Sequence, residues 1–240
     1  MILVVAAAVL AAGLMIGLTG IGGVLVVPAL TALGGIALDR GVAASLLAFL
    51  VAGVPAAVVH LRRTKVPAAQ AIALCACAGL GALAGALSFD WLPGHSVRLF
   101  IALLAVCSGA YALLRSHAVR EGTEPRIAVL APLTLAIGYA SAISGTGGPV
   151  LLVPVLLLLG TTARTAIALG LAIQIPVTAL ASAVYFAKGR VDLELAAAIA
   201  AVMMLGMAGG TWLSARLSAQ ASMRAVAIVL IAVGIAYGAG

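Results

Sequence analysis

Charged residues are so sparse in this chain that they divide it into long uncharged intervals, and this spacing limits what the chain can fold into. Only 8% of its residues are charged, whereas a soluble domain carries about 25%. A membrane-spanning helix needs about 20 apolar residues. Six uncharged intervals have roughly that length: 41–61, 66–89, 99–114, 165–187, 195–215 and 225–240. The chain is therefore predicted to be an all-α integral membrane protein.

Two further uncharged intervals, 1–38 and 127–163, are nearly twice as long, and a glycine-rich motif interrupts each. The motifs are GLTGIGGVLVVP from Gly17 and SAISGTGGPVLLVP from Ser141. A glycine inside a helix costs about 1 kcal/mol relative to alanine. As one helix, 38 residues would extend about 57 Å, too far for one ordinary crossing. Each interval is predicted to be a helical hairpin that turns at the glycines, either re-entrant or fully spanning.

The order of intervals repeats, as do residues within them. Gly20, Gly22 and Gly23 align with Gly145, Gly147 and Gly148, and Arg40 aligns with Arg164. This pattern predicts a tandem duplication in a single membrane domain. Its parts are a first repeat (1–114), a cytoplasmic linker (115–126) and a second repeat (127–240), with roughly 8–10 membrane helices in all.

The number of membrane crossings in each half and the distribution of Lys and Arg both favour inverted repeats. A hairpin plus three spans gives each half an odd number of crossings, so the second half would start on the opposite side. That arrangement places nine Lys and Arg on one side and four on the other, whereas parallel halves would give eight and five. The larger excess is the one expected at the cytoplasmic face, and the linker is cytoplasmic in both arrangements.

Several function classes are disfavoured. The net charge of +7 comes from Lys and Arg scattered at the ends of apolar segments, so no nucleic-acid partner is predicted. The three cysteines lack metal-ligand spacing, and neither a metal nor a cofactor is expected. No histidine lies at depth to act as a base for Ser144, so no enzyme is expected. No basic segment precedes the first apolar stretch, which argues against a cleaved signal peptide.

The two glycine motifs are the candidate substrate site. Non-helical backbone is tolerated at membrane depth only where protein buries it or where it lines a cavity, and paired helix breaks in two inverted halves point to a transporter's central site. Glycines let an anion approach the N–H groups at a helix start. The candidate substrate-binding residues are Thr19, Gly20, Ile21, Gly22, Gly23, Ser45, Ser144, Gly145, Thr146, Gly147, Gly148 and Gln174.

The alternative interpretation is that glycines only permit close helix packing. We assign that role to Gly81, Gly85, Gly206 and Gly210. For the two tips it is less apt, because packing needs neither paired hydroxyls nor a doubled uncharged interval. None of the six acidic residues lies deep in a span, which favours a neutral, donor-rich site for a small anion over a cation channel or a proton-coupled carrier.

The glycine motifs, together with GRVDLELA from Gly189 and MAGGTWLSARLS from Met207, resemble the TauE/SafE family of sulfite exporters in the toluene-sulfonate uptake permease group. The resemblance covers essentially the whole chain and implies transport of sulfite, organosulfonates or related anions. Two departures stand out. Val24 and Pro149 replace the third glycine that is frequent in the family, and a frequent Thr-Ser pair is reduced to Ser45 after Ala44 and absent from the second repeat, which raises the weight on Gln174.

The resulting expectation is a multi-pass transporter of a bacterial-type inner membrane that exports sulfite or a related anion by alternating access. Its expected partners are a small anionic substrate and the lipid bilayer. The alternatives left open are an uptake permease for organosulfonates or another small anion, an anion channel, and a membrane scaffold. The sequence also leaves the direction of transport and a homodimeric state open.

Overall fold

The computed structural model describes residues 2–64, 66–114, 127–214 and 216–240, and in these ranges the chain is helical without strands. Seven helices are long and apolar enough to cross a membrane, which confirms the predicted all-α membrane class. The predicted linker, 115–126, lies outside the described residues. The helices are α1 (Ile2–Thr19), α2 (Gly23–Leu33), α3 (Leu38–Arg63), α4 (Ala68–Ser88), α5 (Gly94–Leu114), α6 (Ile127–Ser144), α7 (Pro149–Leu158), α8 (Ala163–Ala187), α9 (Leu193–Ser214) and α10 (Ala219–Ala239).

The helices of the two halves have matching lengths. In the first half, α1, α3, α4 and α5 have 18, 26, 21 and 21 residues, and their counterparts α6, α8, α9 and α10 have 18, 25, 22 and 21. In each half the short helix, α2 or α7, follows the glycine motif. The division of the chain into two repeats stays a prediction, and these lengths agree with it.

Helices α1 and α2 form a hairpin that turns at the first glycine motif. Gly22 packs against Met15, where an added Cβ would lie 2.9 Å from the Cβ of that residue, and Gly34 lies beside Val5 near the start of α1. The chain therefore returns toward the end from which α1 began. The return arm α2 opens with a 3-10 turn, closes with a π-helical segment from Ala29 to Leu33, and is about 16 Å long, which is too short to cross the hydrocarbon alone.

Glycines let helices of different halves approach closely, as where α1 packs against α9 and α4 against α6. A Cβ added at Gly210 would overlap the carbonyl oxygen of Leu14, and one at Gly85 would lie 2.6 Å from the carbonyl oxygen of Tyr139. Such small-residue contacts are typical of packing between membrane helices. The structure confirms the packing role predicted for Gly81, Gly85, Gly206 and Gly210.

The contacts also fix helix directions. Helix α5 packs on its counterpart α10 with Gly109 against Ala227 and with Gly238 against Ala102, so these two equivalent helices run antiparallel. The α1–α9 and α4–α6 pairs both run parallel, because later glycines of one helix meet later residues of the other. The two pairs are equivalent, because α6 is the counterpart of α1 and α4 is the counterpart of α9.

Neighbouring glycines in α9 provide a matched test of this packing. Gly210→Ala should force α1 and α9 apart and cost about 1–3 kcal/mol, as overpacked cores do. Gly209→Ala should be neutral or slightly stabilising, because no atom lies within 4 Å of an added Cβ there and alanine favours the helix. Thermal unfolding of the purified protein in detergent measures both. Equal midpoints for the two variants would contradict this description of the interface.

Candidate functional site

A cavity of about 540 Å³ lies at the two glycine tips. Its wall is mostly apolar and comes from both halves, chiefly α1, α3, α7, α8 and α9. Among the described residues, its polar side chains are neutral: Thr19, Thr146, Gln174 and Thr211. Six predicted site residues line it, namely Thr19, Gly20, Ile21, Gly23, Thr146 and Gln174. The cavity therefore offers hydroxyl and amide groups to a ligand without a charged side chain.

The first tip closes α1 and exposes its backbone to the cavity. The Thr19 hydroxyl lies 3.0 Å from the carbonyl oxygen of Met15 and 3.3 Å from the amide of Ile21, from which it accepts. Gly20 has a φ of +76°, and no atom lies within 4 Å of a Cβ added there. This glycine adopts a left-handed conformation that L-residues avoid, and its open side faces the space between the tips.

The second tip combines consecutive left-handed glycines with two linked hydroxyls. Gly147 and Gly148 have φ values of +76° and +111°, and Pro149 begins α7 directly after them. The Ser144 and Thr146 hydroxyl oxygens are 3.0 Å apart. Thr146 lines the cavity beside the first turn of α7. In that turn Pro149 has no N–H, and Leu151 and Leu152 donate to the carbonyl oxygen of Gly148 at 3.1 Å and 3.0 Å. What the turn offers a ligand is the positive end of the helix dipole.

Ser45 holds the second tip in place from α3. Its hydroxyl contacts the carbonyl oxygens of Val42, at 2.8 Å, and of Gly145, at 3.1 Å. The structure thus places Ser45 behind the tip and not in the cavity wall. The other predicted site residues outside the wall are Gly22, Ser144, Gly145, Gly147 and Gly148. The substrate-binding role of the whole set stays a prediction.

Gln174 lies in the cavity wall near the middle of α8 and bridges to α3. Its Nε2 donates to the carbonyl oxygen of Phe49 at 2.8 Å. Gly53 makes room for this amide, because a Cβ at that position would overlap Gln174 Nε2. A carbonyl only accepts, so this bond fixes the amide orientation, and Phe49 uses one of the two N–H donors of the amide.

Phe49 is a cavity residue that sequence reasoning missed. Its ring lies where Cβ atoms added at Gly23 and Gly147 would meet it, at 2.9 Å and 3.4 Å. It therefore packs against both tips. A signal existed, because Phe49 occupies in the first repeat the position that Gln174 occupies in the second, 125 residues later. Aromatic residues are common in apolar helices, so Phe49 alone did not point to its repeat equivalence with Gln174.

The cavity lies toward one end of the helix bundle. Its wall includes Ala56 near the end of α3, Ile167 near the start of α8 and Thr211 near the end of α9. At the opposite end, the repeat counterparts of its lining residues are buried. Ala181, the counterpart of Ala56, is 0% exposed, and Ala86, the counterpart of the exposed Thr211, is also 0% exposed. The site is thus open toward one end and closed toward the other.

Comparison with known proteins identifies the family. The model of the sulfite exporter TauE/SafE family matches residues 5–237, nearly the whole chain. The chain belongs to the TauE/SafE family. Neither the curated proteins nor the solved structures gave a match. Membership confirms the resemblance read from the glycine motifs and makes the chain a multi-pass membrane protein of a family that transports sulfur-containing anions.

The two equivalent tip glycines provide a matched pair for stability. Gly145→Ala should destabilise strongly, since a left-handed L-residue costs about 1–2 kcal/mol and the new Cβ would also lie 2.5 Å from Ser45 Oγ. Gly20→Ala should carry only the conformational cost, because its Cβ points into open space. Thermal unfolding in detergent should give a clearly lower midpoint for Gly145→Ala. A midpoint for Gly20→Ala as low as that of Gly145→Ala would contradict the finding that a Cβ at Gly20 points into open space.

Proposed function

We propose that this protein exports sulfite or a related small sulfur-containing anion across a bacterial-type inner membrane by alternating access of two inverted repeats. The observation that carries the proposal is the cavity at the two glycine tips, with neutral donors in its wall and one closed end. The pair of hairpin tips, one from each half, corresponds to the paired helix breaks that mark the central site of inverted-repeat transporters.

The chemistry of the cavity suits a small anion. Thr19 and Thr146 bring hydroxyls that can rotate from their present partners toward a ligand, and Gln174 brings the amide N–H that Phe49 leaves unused. The α7 start brings the positive end of a helix dipole. Sulfite has three oxygens that accept hydrogen bonds. Neutral donors hold such an ion loosely enough to release it, which a carrier needs. The substrate-binding residues in this proposal are Thr19, Gly20, Ile21, Gly23, Thr146 and Gln174.

The antiparallel packing of the equivalent helices α5 and α10 supports inversion. Parallel repeats would be related by an axis along the membrane normal, and their equivalent helices would run in the same direction. The inverted arrangement places the cavity at the end with nine basic residues, which is the cytoplasmic side by the positive-inside rule. Arg62, Arg164, Arg216 and Arg224 lie at the helix ends around that mouth and would raise the local concentration of anions there.

The closed end favours a carrier over an open anion channel. The burial of the counterparts of the cavity residues supports a closed opposite end, and flux through such a site would require a conformational change. Direction follows from the membrane potential, since an inside-negative potential drives an anion outward by about 2.3 kcal/mol per charge per 100 mV. Passive export of an anion needs no coupled ion, and among the described residues no carboxylate lies in the cavity wall to bind one.

Sulfite efflux from proteoliposomes tests the proposed function. Vesicles loaded with sulfite should release it with saturable kinetics, and an imposed potassium-diffusion potential, negative inside, should accelerate release. Empty liposomes set the background. Efflux that never saturates would replace the carrier with a pore, and no efflux from folded protein would remove sulfite as the substrate.

Two buried threonines give a matched pair for the site. Thr146→Val removes a hydroxyl from the cavity wall and should slow efflux at least about tenfold, the effect of about 1.4 kcal/mol in transition-state free energy. Thr134→Val is the control, because Thr134 is also buried but bonds to its own helix at Leu130. Initial efflux rates at matched protein levels decide the test. Equal rates for the two variants would exclude a role of Thr146 in transport.

A further inference from the structure

Four charged side chains form one cluster at the bundle end opposite the cavity. Asp90 follows α4 and contacts both Lys188, with 2.8 Å between Lys188 Nζ and Asp90 Oδ2, and Arg190. Arg190 Nε also lies 3.4 Å from Asp39 Oδ2 at the start of α3. The Lys188 ammonium donates further to the carbonyl oxygen of Ala86 at 2.9 Å. The cluster thus fastens the α8–α9 connection to α3 and α4.

An aromatic layer lies directly beneath this cluster. The Arg190 guanidinium lies over the Phe89 ring at 6.0 Å, and that ring meets Tyr185 edge-on with 5.6 Å between centroids. Tyr185 is 0% exposed, and its hydroxyl donates to the carbonyl oxygen of Ala142 in the last turn of α6. The closed end therefore consists of ion pairs, then aromatic rings, then the second tip.

Every ion pair in the cluster joins one half of the chain to the other. Asp39 and Asp90 belong to the first half, and Lys188 and Arg190 belong to the second. If the halves rock against each other to open this end, these pairs must separate. No other contact between charged side chains of the two halves is seen among the described residues.

The repeat alignment shows that this cluster has no reciprocal partner at the cavity end. Lys188 and Arg190 align with Arg63 and Lys65, which keep their charge. Neither carboxylate has an acidic counterpart: residues 163 and 164, which correspond to the start of α3, are Ala163 and Arg164, and Asp90 aligns with Ala215. At the equivalent positions of the cavity end the sequence thus has basic residues without carboxylates, so the ion pairs that hold the opposite end closed cannot form there. The sequence itself biases the protein toward the conformation seen.

We propose that Asp39, Asp90, Lys188 and Arg190 form the gate opposite the cavity and hold the resting transporter open to the cytoplasm. The inference rests on the proposed alternating access and extends it by assigning the residues that set its equilibrium. A resting state open to the cytoplasm suits an exporter, because the site is then loaded from the side where the anion is abundant.

Thiol accessibility of two equivalent alanines tests the gate without any substrate. In a background with Cys75, Cys77 and Cys107 replaced by serine, Ala56→Cys reports on the cavity and Ala181→Cys on its closed counterpart. A membrane-impermeant maleimide should label Ala56→Cys in inside-out vesicles and leave Ala181→Cys unlabelled in spheroplasts. Asp39→Asn with Asp90→Asn should raise the labelling rate of Ala181→Cys at least about tenfold and lower that of Ala56→Cys, as a population shift requires.

A second double variant controls for charge alone. Asp192→Asn with Glu194→Gln removes two exposed carboxylates from the same end and preserves the helix cap that Asp192 provides to Leu195, since asparagine caps equally well. It should leave both labelling rates unchanged. Ala105→Cys, buried between α5 and α10, should stay unlabelled in every folded variant. Labelling of Ala105→Cys would show that the double gate variant is not folded. The single variant Asp90→Asn would then replace it and be judged by the same labelling rates.

The outcomes separate the gate from the identity of the substrate. Unchanged labelling of Ala181→Cys in the folded gate variant, or an equal rise in the control, would overturn the gate. Labelling that shifts as expected in a protein without sulfite flux would keep the gate and remove only sulfite from the proposed function.

Discussion

The rest of the structure depends on the cost of unpaired backbone groups in hydrocarbon. An N–H or carbonyl without a partner costs several kcal/mol there, and each glycine motif interrupts a helix where nearly every residue is apolar. The breaks are therefore stable only where the protein surrounds them. Helix α3 supplies that enclosure through Phe49, which lies against Gly23 and Gly147, and α8 supplies it through Ile173 and Thr178 beside the second tip. Because Phe49 contacts both breaks, the two tips lie close together, and Gly23 also lies beside Val150 of α7.

This requirement makes each half incomplete without the other. The first arm of each hairpin packs on a helix of the opposite half, α1 on α9 and α6 on α4, through glycines that admit no side chain. The Gln174–Phe49 bond and the four-charge cluster join the halves as well. The glycine interfaces are tightly packed, whereas the ion pairs are partly exposed. Motion between the halves would then concentrate at the closed end and around the tips.

The sequence predicted the helical membrane class, the positions of the helix breaks and the packing glycines, because uncharged intervals and glycine spacing report directly on the membrane and on close helix approach. It also predicted which residues form the tips. It did not reveal that Ser45 bonds to Gly145 behind the tip, since a serine on an apolar helix has the same pattern whichever face it occupies. The sequence analysis did not identify Phe49 as a site residue either. Its repeat equivalence with Gln174 is visible in the sequence, but the contact of its ring with both tips is visible only in the structure. One end of the bundle has ion pairs and the other end lacks them, and finding this difference required both structure and sequence. The structure shows the ion pairs, and the repeat alignment shows that their carboxylates have no acidic counterparts.

The central claim is that an anion binds between the two glycine tips. Crystals of the purified protein soaked with selenite, the selenium analogue of sulfite, would test this directly through anomalous diffraction at the selenium edge. The account predicts a selenium peak in the cavity within hydrogen-bonding reach of Thr19, Thr146 or Gln174. A dominant peak elsewhere in the protein, with the cavity empty at saturating selenite, would contradict it.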